Sequence, residues 1–153
     1  MDDSGIIFCE AKIKEEFQQV FLLLEDAKKY YPDFHTWFYG KVIHDVPFGK
    51  RCILVAKQKE RNREIVGISI LKNDEEEKKI CTFFVQPKYR KNGIGKKLME
   101  QSLMRIQCKF PLLTVPEEIH EEFKTLLAEY KFKLTSVGKD MYRVGRKEYL
   151  YNA

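Results

Sequence analysis

The chain has 153 residues, with 28 Lys and Arg against 23 Asp and Glu and a formal net charge of +5. That length predicts one domain, 1–153, with a single core and no room for a second module. Hydrophobic residues at 44% and aromatics at 13% exclude a disordered or low-complexity chain. Residues 6–8 read as a short first strand. Phe17, Val20, Phe21 and Leu24 recur at helical spacing and predict a helix that Pro32 ends. Phe34, Trp37, Phe38 and Lys41 suggest a second, shorter helix with a heavy aromatic face, and Pro47 and Gly49 mark the next turn.

Three strand-like runs follow, 51–57, 64–72 and 79–85, with short polar connections that favour an antiparallel meander. Residues 92–107 read as a helix with Gly95, Leu98, Met99, Ser102, Leu103 and Ile106 on one face. Residues 112–115 are a brief apolar strand. Pro116, Glu117 and Glu118 open a last helix that carries Ile119, Phe123, Leu126, Leu127 and Tyr130. Residues 132–142 and 147–151 form a final hairpin. Mixed order of this kind predicts an α/β (α+β) sheet covered by helices, with a parallel strand–helix–strand unit at 79–115.

Cys9, Cys52, Cys81 and Cys108 form no CxxC pair, so the usual zinc and thioredoxin spacings are absent and no metal is expected. The first five residues are acidic, and no apolar run approaches the roughly 18 residues of a membrane span. A reduced, cytoplasmic protein with no membrane partner is the expectation.

Chemistry concentrates in 85–98, which leaves a strand, turns at Pro87, passes Gly93 and Gly95 and enters a helix. Glycines there let the backbone approach a ligand and present consecutive amides to phosphate oxygens at a helix start. Residues 86–109 hold Lys88, Arg90, Lys91, Lys96, Lys97, Arg105 and Lys109 against Glu100 alone, so an anion is expected here. A P-loop is excluded by Arg90 and Lys97 at its glycine and hydroxyl positions, and a dinucleotide loop by Leu98 at its third glycine.

The string Arg90-Lys91-Asn92-Gly93-Ile94-Gly95, entered through Val85-x-Pro87-x-Tyr89, resembles the pyrophosphate signature of the GNAT superfamily of acyl-CoA-dependent N-acyltransferases. The resemblance implies a mostly antiparallel, splayed sheet of about seven strands with about four helices. It also implies acetyl-CoA as co-substrate: Phe83, Phe84 and Val85 along pantetheine, and Arg90, Lys91, Asn92, Gly93, Ile94, Gly95 and Lys96 at the pyrophosphate. Thr114 and Val115 would line the gap on the next strand. An amine acceptor would lie between the first two helices and the final hairpin, and homodimers through the C-terminal strands occur in the family.

Catalytic groups do not follow from that likeness. Many members place a carboxylate on the strand before the loop, and residues 79–85 have none. Many carry a tyrosine five residues before an aromatic of the next strand, and counting back from Phe132 lands on Leu127. Tyr130 reads as the end of a core stripe, His120 as a surface histidine with a pKa lowered by the helix end, and Cys81 and Cys108 as inert thiols. Glu75, Glu76 and Glu77 read as a solvated run. Asp33 and His35 are candidates for contacting an amine, whereas Trp37 and Phe38 dock their helix.

The leading expectation is direct transfer of an acetyl group from acetyl-CoA to a primary amine. A CoA-binding module without turnover is the alternative. Nucleic-acid binding through the 88–109 lysines ranks last, because those bases surround a loop too small for a duplex backbone.

Overall fold

Runs rich in β-branched residues pair because their side chains pack well on a pleated, half-buried surface. In the computed structural model, which describes residues 5–60, 63–90 and 92–153, β1 is Ile6–Glu10, β2 Arg51–Gln58, β3 Ile65–Asn73 and β4 Lys78–Val85. These four pair antiparallel in chain order, as the short polar connections predict. β5 (Leu112–Pro116) lies parallel to β4, and β6 (Leu134–Lys139) and β7 (Lys147–Tyr151) complete a seven-stranded sheet among the described residues. Its order is β1-β2-β3-β4-β5-β7-β6, so the last strand in sequence is inserted between β5 and β6.

The helices cover both faces. α1 (Lys14–Leu23) starts where Glu16 Oε1 accepts the amides of Lys12 and Ile13 at 3.0 and 3.2 Å. It stops well before Pro32, and Glu25–Lys29 continues as a 3-10 turn. The second helical region is longer than its aromatic spacing suggests: α2 (Phe34–Trp37) runs through a π turn at Phe38–Val42 into α3 (Ile43–Asp45) and a 3-10 turn at Val46–Phe48. Val20, Leu24, Phe34, Phe38 and Val42 from these segments pack on Ile53, Val55, Ile68 and Ile70. Phe38 is fully buried, and its truncation to Ala would cost about 3–5 kcal/mol.

On the opposite face, α4 (Ile94–Ile106) and α5 (His120–Glu129) bury Leu98, Met99, Ile106 and Leu127 against Leu54, Leu71, Ile80, Leu113 and Val115. The start of α5 corrects the sequence reading. Pro116 is the last residue of β5, opposite Glu148, and the helix begins only at His120. Proline lacks the amide a strand interior must donate, so it is tolerated at this strand end. β7 has the expected bounds, but β6 is shorter than expected, because 140–146 forms a loop in which Asp140 takes a left-handed backbone and accepts the Gly145 amide.

Candidate active site

The sheet comes apart at its centre. β4 and β5 are in register only at Lys79↔Leu112 and Ile80↔Leu113. Beyond that point β4 keeps only β3 as a neighbour, and β5 pairs with β7 from Leu113↔Tyr151 to Pro116↔Glu148. The register of β3 against β4 also shifts between Ile70↔Thr82 and Leu71↔Ile80, leaving Cys81 as a bulge at the point where the strands diverge. The backbone edges of 82–85 and 114–116 therefore face a gap. Edges of this kind are open to pair with an extended polar ligand.

At the far end of β4 the chain makes the turn singled out above. Tyr89 Oη donates to Glu64 Oε2 and accepts from Gln58, both at 2.8 Å, and Arg90 Nε donates to the Val85 carbonyl at 2.8 Å. These contacts pin the turn to the strand ends. Gly93 sits at the N-cap of α4 with φ of 82°, a left-handed backbone that favours glycine. Apart from its chain neighbours and its own helix backbone, a Cβ placed at Gly93 or Gly95 would meet no atom of the described residues within 4 Å. Among the described residues no packing accounts for the missing side chain at Gly95, which sits in the first turn of α4, where the free amides of a helix start are found.

Of the residues expected here, Lys91 lies outside the described residues. Asn92 is half-buried, Gly93 and Lys96 are exposed, and Ile94 is buried in the core and can offer only its backbone. The local cations are less free than a linear count implies. Lys88 pairs with Glu64 at 3.1 Å, Arg90 with Glu122 at 3.6 Å, Lys96 with Glu129 at 3.1 Å and Arg105 with Glu10 at 2.7 Å. Phe83, Phe84 and Val85 alternate faces: Phe83 meets Phe123 at 6.1 Å on the α5 side, and Phe84 packs on the α1 side. What the three share is the backbone edge along the gap.

On the α1 side of the same gap lies a cavity of about 770 Å³. Thr82 and Thr114 from the two parting strands, Tyr31, Trp37 and Tyr142, and Arg51 are among the residues that line it. The sequence assigned this place to the acceptor and named Asp33, which lines the cavity, but it did not find Glu148, which lies behind Tyr31. Glu148 is 2% exposed, with Tyr31 Oη donating to its Oε1 at 3.4 Å and Arg143 at 3.9 Å from its Oε2. Burial pushes the Glu148 carboxyl up to about 7, against the opposing pull of Arg143 and Tyr31. Burial, and then the neighbouring Glu148 charge, also raise the Tyr31 phenol, while Thr114 works in the other direction. Arg143 does not neutralise Glu148, because its guanidinium forks onto Glu118 at 2.7 and 2.8 Å. That contact holds Glu118 down at about 2.

Residues 49–130, more than half of the chain, match the family model described as an acetyltransferase (GNAT) domain. The chain belongs to the GNAT acetyltransferase family. Solved structures share the fold. A GNAT-family protein from Desulfovibrio desulfuricans superposes with a TM-score of 0.75 at 13% identity, covering 95% of this chain and 96% of that one. The NatC complex bound to Gag peptide and CoA gives 0.76 at 19% identity, with 96% of each chain covered. Arabidopsis thaliana NAA60 in complex with acetyl-CoA gives 0.71 at 17%, covering 95% and 96%. No curated protein sequence matches the chain.

Measured as a GNAT chain, its other candidates sort clearly. Asp33 lines the cavity, whereas His35 points away from it, edge-on to Phe21 at 5.3 Å and beside Tyr39 at 4.9 Å. His120 is not a surface histidine. It is 5% exposed, stacks on Tyr149 at 3.7 Å and lies 2.6 Å from Tyr151 Oη, all on the face away from the cavity. Its pKa is lowered, with burial the first cause and Lys124 the second, rather than the helix end. Leu127 is core, and Tyr130 donates its hydroxyl to the Lys96 carbonyl at 2.8 Å, tying α5 to the first turn of α4. Glu77 is not a free member of a solvated run, since it holds Lys72 at 3.2 Å and lines the cavity. Burial raises the thiols of Cys81 and Cys52, the latter to about 12, which is poor for a nucleophile. Among the described residues no cluster of His, Cys, Asp or Glu is placed to hold a metal, and no helix is long and apolar enough to cross a membrane.

Proposed function

We propose that this chain, acting as one domain over 1–153, is an N-acetyltransferase that moves the acetyl group of acetyl-CoA to a primary amine in a ternary complex. The observation that carries the reading is the gap itself. It connects a helix-start glycine turn at the end of β4 with a cavity between Tyr31, Thr82 and Thr114. A cofactor with a pyrophosphate at one end and an extended amide chain fits that path. The pyrophosphate meets the amides of 93–96, with Arg90, Lys91 and Asn92 flanking, and the amide chain pairs with the edge of Phe83, Phe84 and Val85. The family's solved relatives that hold CoA, acetyl-CoA or peptide support this reading.

Acetyl-CoA supplies an activated carbonyl; the chain supplies position and a route for protons. The acceptor gives up one proton before attack and a second as the amide forms, and the second balances the departing thiolate. Tyr31 accepts the first proton at its oxygen while passing its own to Glu148, the carboxylate it already donates to. A base poised near 7 suits this role at neutral pH. Freed amides of the unpaired β4 edge polarise the thioester oxygen.

The test is a panel of amines with detection of free CoA thiol, alongside calorimetry of CoA binding. Saturable CoA binding with amine-dependent thiol release is expected. CoA binding with no thiol release for any amine would overturn the enzymatic reading and leave the binding module.

A further inference from the structure

The cavity holds a feature that acetyl transfer alone does not require. Arg51, Lys72 and Lys79 lie side by side across three strands: Arg51 is opposite Lys72, and Lys72 is opposite Lys79. All three line the cavity. Like charges placed directly opposite on neighbouring strands are destabilising, so a bare row of three is a cost the fold must offset.

The offset inside the protein is incomplete. Glu77 at 3.2 Å and Asp74 at 3.7 Å compensate Lys72. Arg51 has an 8% exposed side chain, and its nearest carboxylate, Asp45, stands 4.0 Å from Nε. That carboxylate also accepts from His44 at 3.0 Å. Another Arg51 nitrogen donates to the neutral Cys81 thiol at 3.3 Å, its carbon centre lies 5.6 Å over Trp37, and Nε has no hydrogen-bond partner. A guanidinium nine-tenths buried and short of acceptors is expensive unless an anion completes it. Lys41 adds a fourth cation to the lining. The opposing lining carboxylates are Glu77, already spent on Lys72, and the exposed Asp33, with Glu148 buried behind Tyr31.

These cations cannot serve the pyrophosphate. The glycine turn follows Val85, six residues further along β4 than Lys79, roughly 20 Å away at strand rise. The point where β4 and β5 part, beside Cys81 and Thr82, is only about 10 Å from Lys79 or less. An acceptor amine held there would place its own substituents over the row.

Resting on the reading above, we propose that Arg51, Lys72 and Lys79 form a seat for an oxyanion carried by the acceptor, so that the substrate is a small amine bearing a carboxylate or phosphate close to its amino group. Polyamines and other polycationic amines are then rejected, because each added positive charge faces the row.

Matched pairs test this: glycine with glycinamide, glutamate with its diamide, and phosphoethanolamine with ethanolamine. The anionic member of at least one pair is expected to lead in kcat/KM by about tenfold or more, the scale of a buried charge-assisted contact. Arg51→Gln and Lys79→Met should each shrink that ratio toward one while acetyl-CoA affinity by calorimetry stays unchanged. Whichever pair leads separates carboxylate from phosphate. Equal use of both members, or a ratio untouched by either variant, would sink the proposal. Trp37, the single tryptophan, stacks near Arg51 and supplies a readout that needs no turnover. Its emission should respond saturably to the favoured anion, weakly at high salt, and far less in Lys79→Met. A protein that binds CoA yet shows no saturable Trp37 response to any of these anions overturns the seat, whether or not it acetylates an amine.

Discussion

Two groups of cations flank the gap, and they differ in almost every physical respect. Lys88, Arg90 and Lys96, around the glycine turn, are neighbours in sequence and largely exposed, and each pairs with a carboxylate, Glu64 just before β3 or Glu122 and Glu129 of α5. Exposed pairs of this type contribute about 0–1 kcal/mol each and are readily exchanged for a ligand. The row Arg51, Lys72 and Lys79 is drawn from three strands, with Arg51 against Trp37 and Cys81, and is only partly compensated. A count along the chain places the protein's charge in the first group. Electrostatic energy places its more consequential charge in the second, because screening is weak where water is excluded.

The largest effect that would break this contrast is on the cofactor. Gly95→Glu is expected to abolish measurable CoA binding by calorimetry with the fold retained, since the added Cβ meets nothing within 4 Å. Arg51→Gln should leave the same titration unchanged, and similar loss in both variants would merge two sites that the geometry keeps apart.

Next comes the proton route. Glu148→Gln or Tyr31→Phe should lower kcat by about 10²-fold or more, with smaller changes in KM. In the parent protein the rate should climb as pH rises through about 7, where Glu148 loses its proton, and the variants should lose that limb. Stability carries the opposite sign. Because the folded carboxyl holds its proton above the value it has when unfolded, stability declines as pH rises from the ordinary glutamate range through about 7. Thermal melts of Glu148→Gln should lack that decline.

A smaller effect belongs to Glu118. Its pKa is depressed to about 2, so its pairing with Arg143 is fully present above the ordinary glutamate value and fades as pH falls through about 2. Glu118→Gln should lower the midpoint at pH 7, by less than about 1 kcal/mol given its partial exposure, and converge with the parent near pH 2. Smallest of all, Lys88→Ala should leave the urea-unfolding midpoint almost unchanged, as befits an exposed pair.

Much of the scaffold was readable in advance, for reasons that differ by element. The meander β2–β3–β4 follows from apolar runs separated by short polar turns, and α4 from its buried stripe at Leu98, Met99, Ser102 and Ile106. The glycine turn was readable because its chemistry lies within consecutive residues. Glu148 was not, since its partner Tyr31 lies 117 positions earlier and nothing near Glu148 marks it as buried. His120 was misjudged for the same reason: the aromatic residues that enclose it, Tyr149 and Tyr151, arrive only when β7 slots in beside β5. The end of α1 and the start of α5 moved because prolines permit a boundary without compelling one.

Local pattern alone determined the element types, the antiparallel meander, the glycine turn and the resemblance to the GNAT family, because those depend on backbone preferences and side-chain period over short windows. The order β5-β7-β6, the early parting of β4 and β5, the buried carboxylate against Tyr31 and the row of three cations were decided by tertiary structure. Each depends on strand register. A shift of one residue turns every side chain of a strand to the other face, and sequence proximity cannot supply that information.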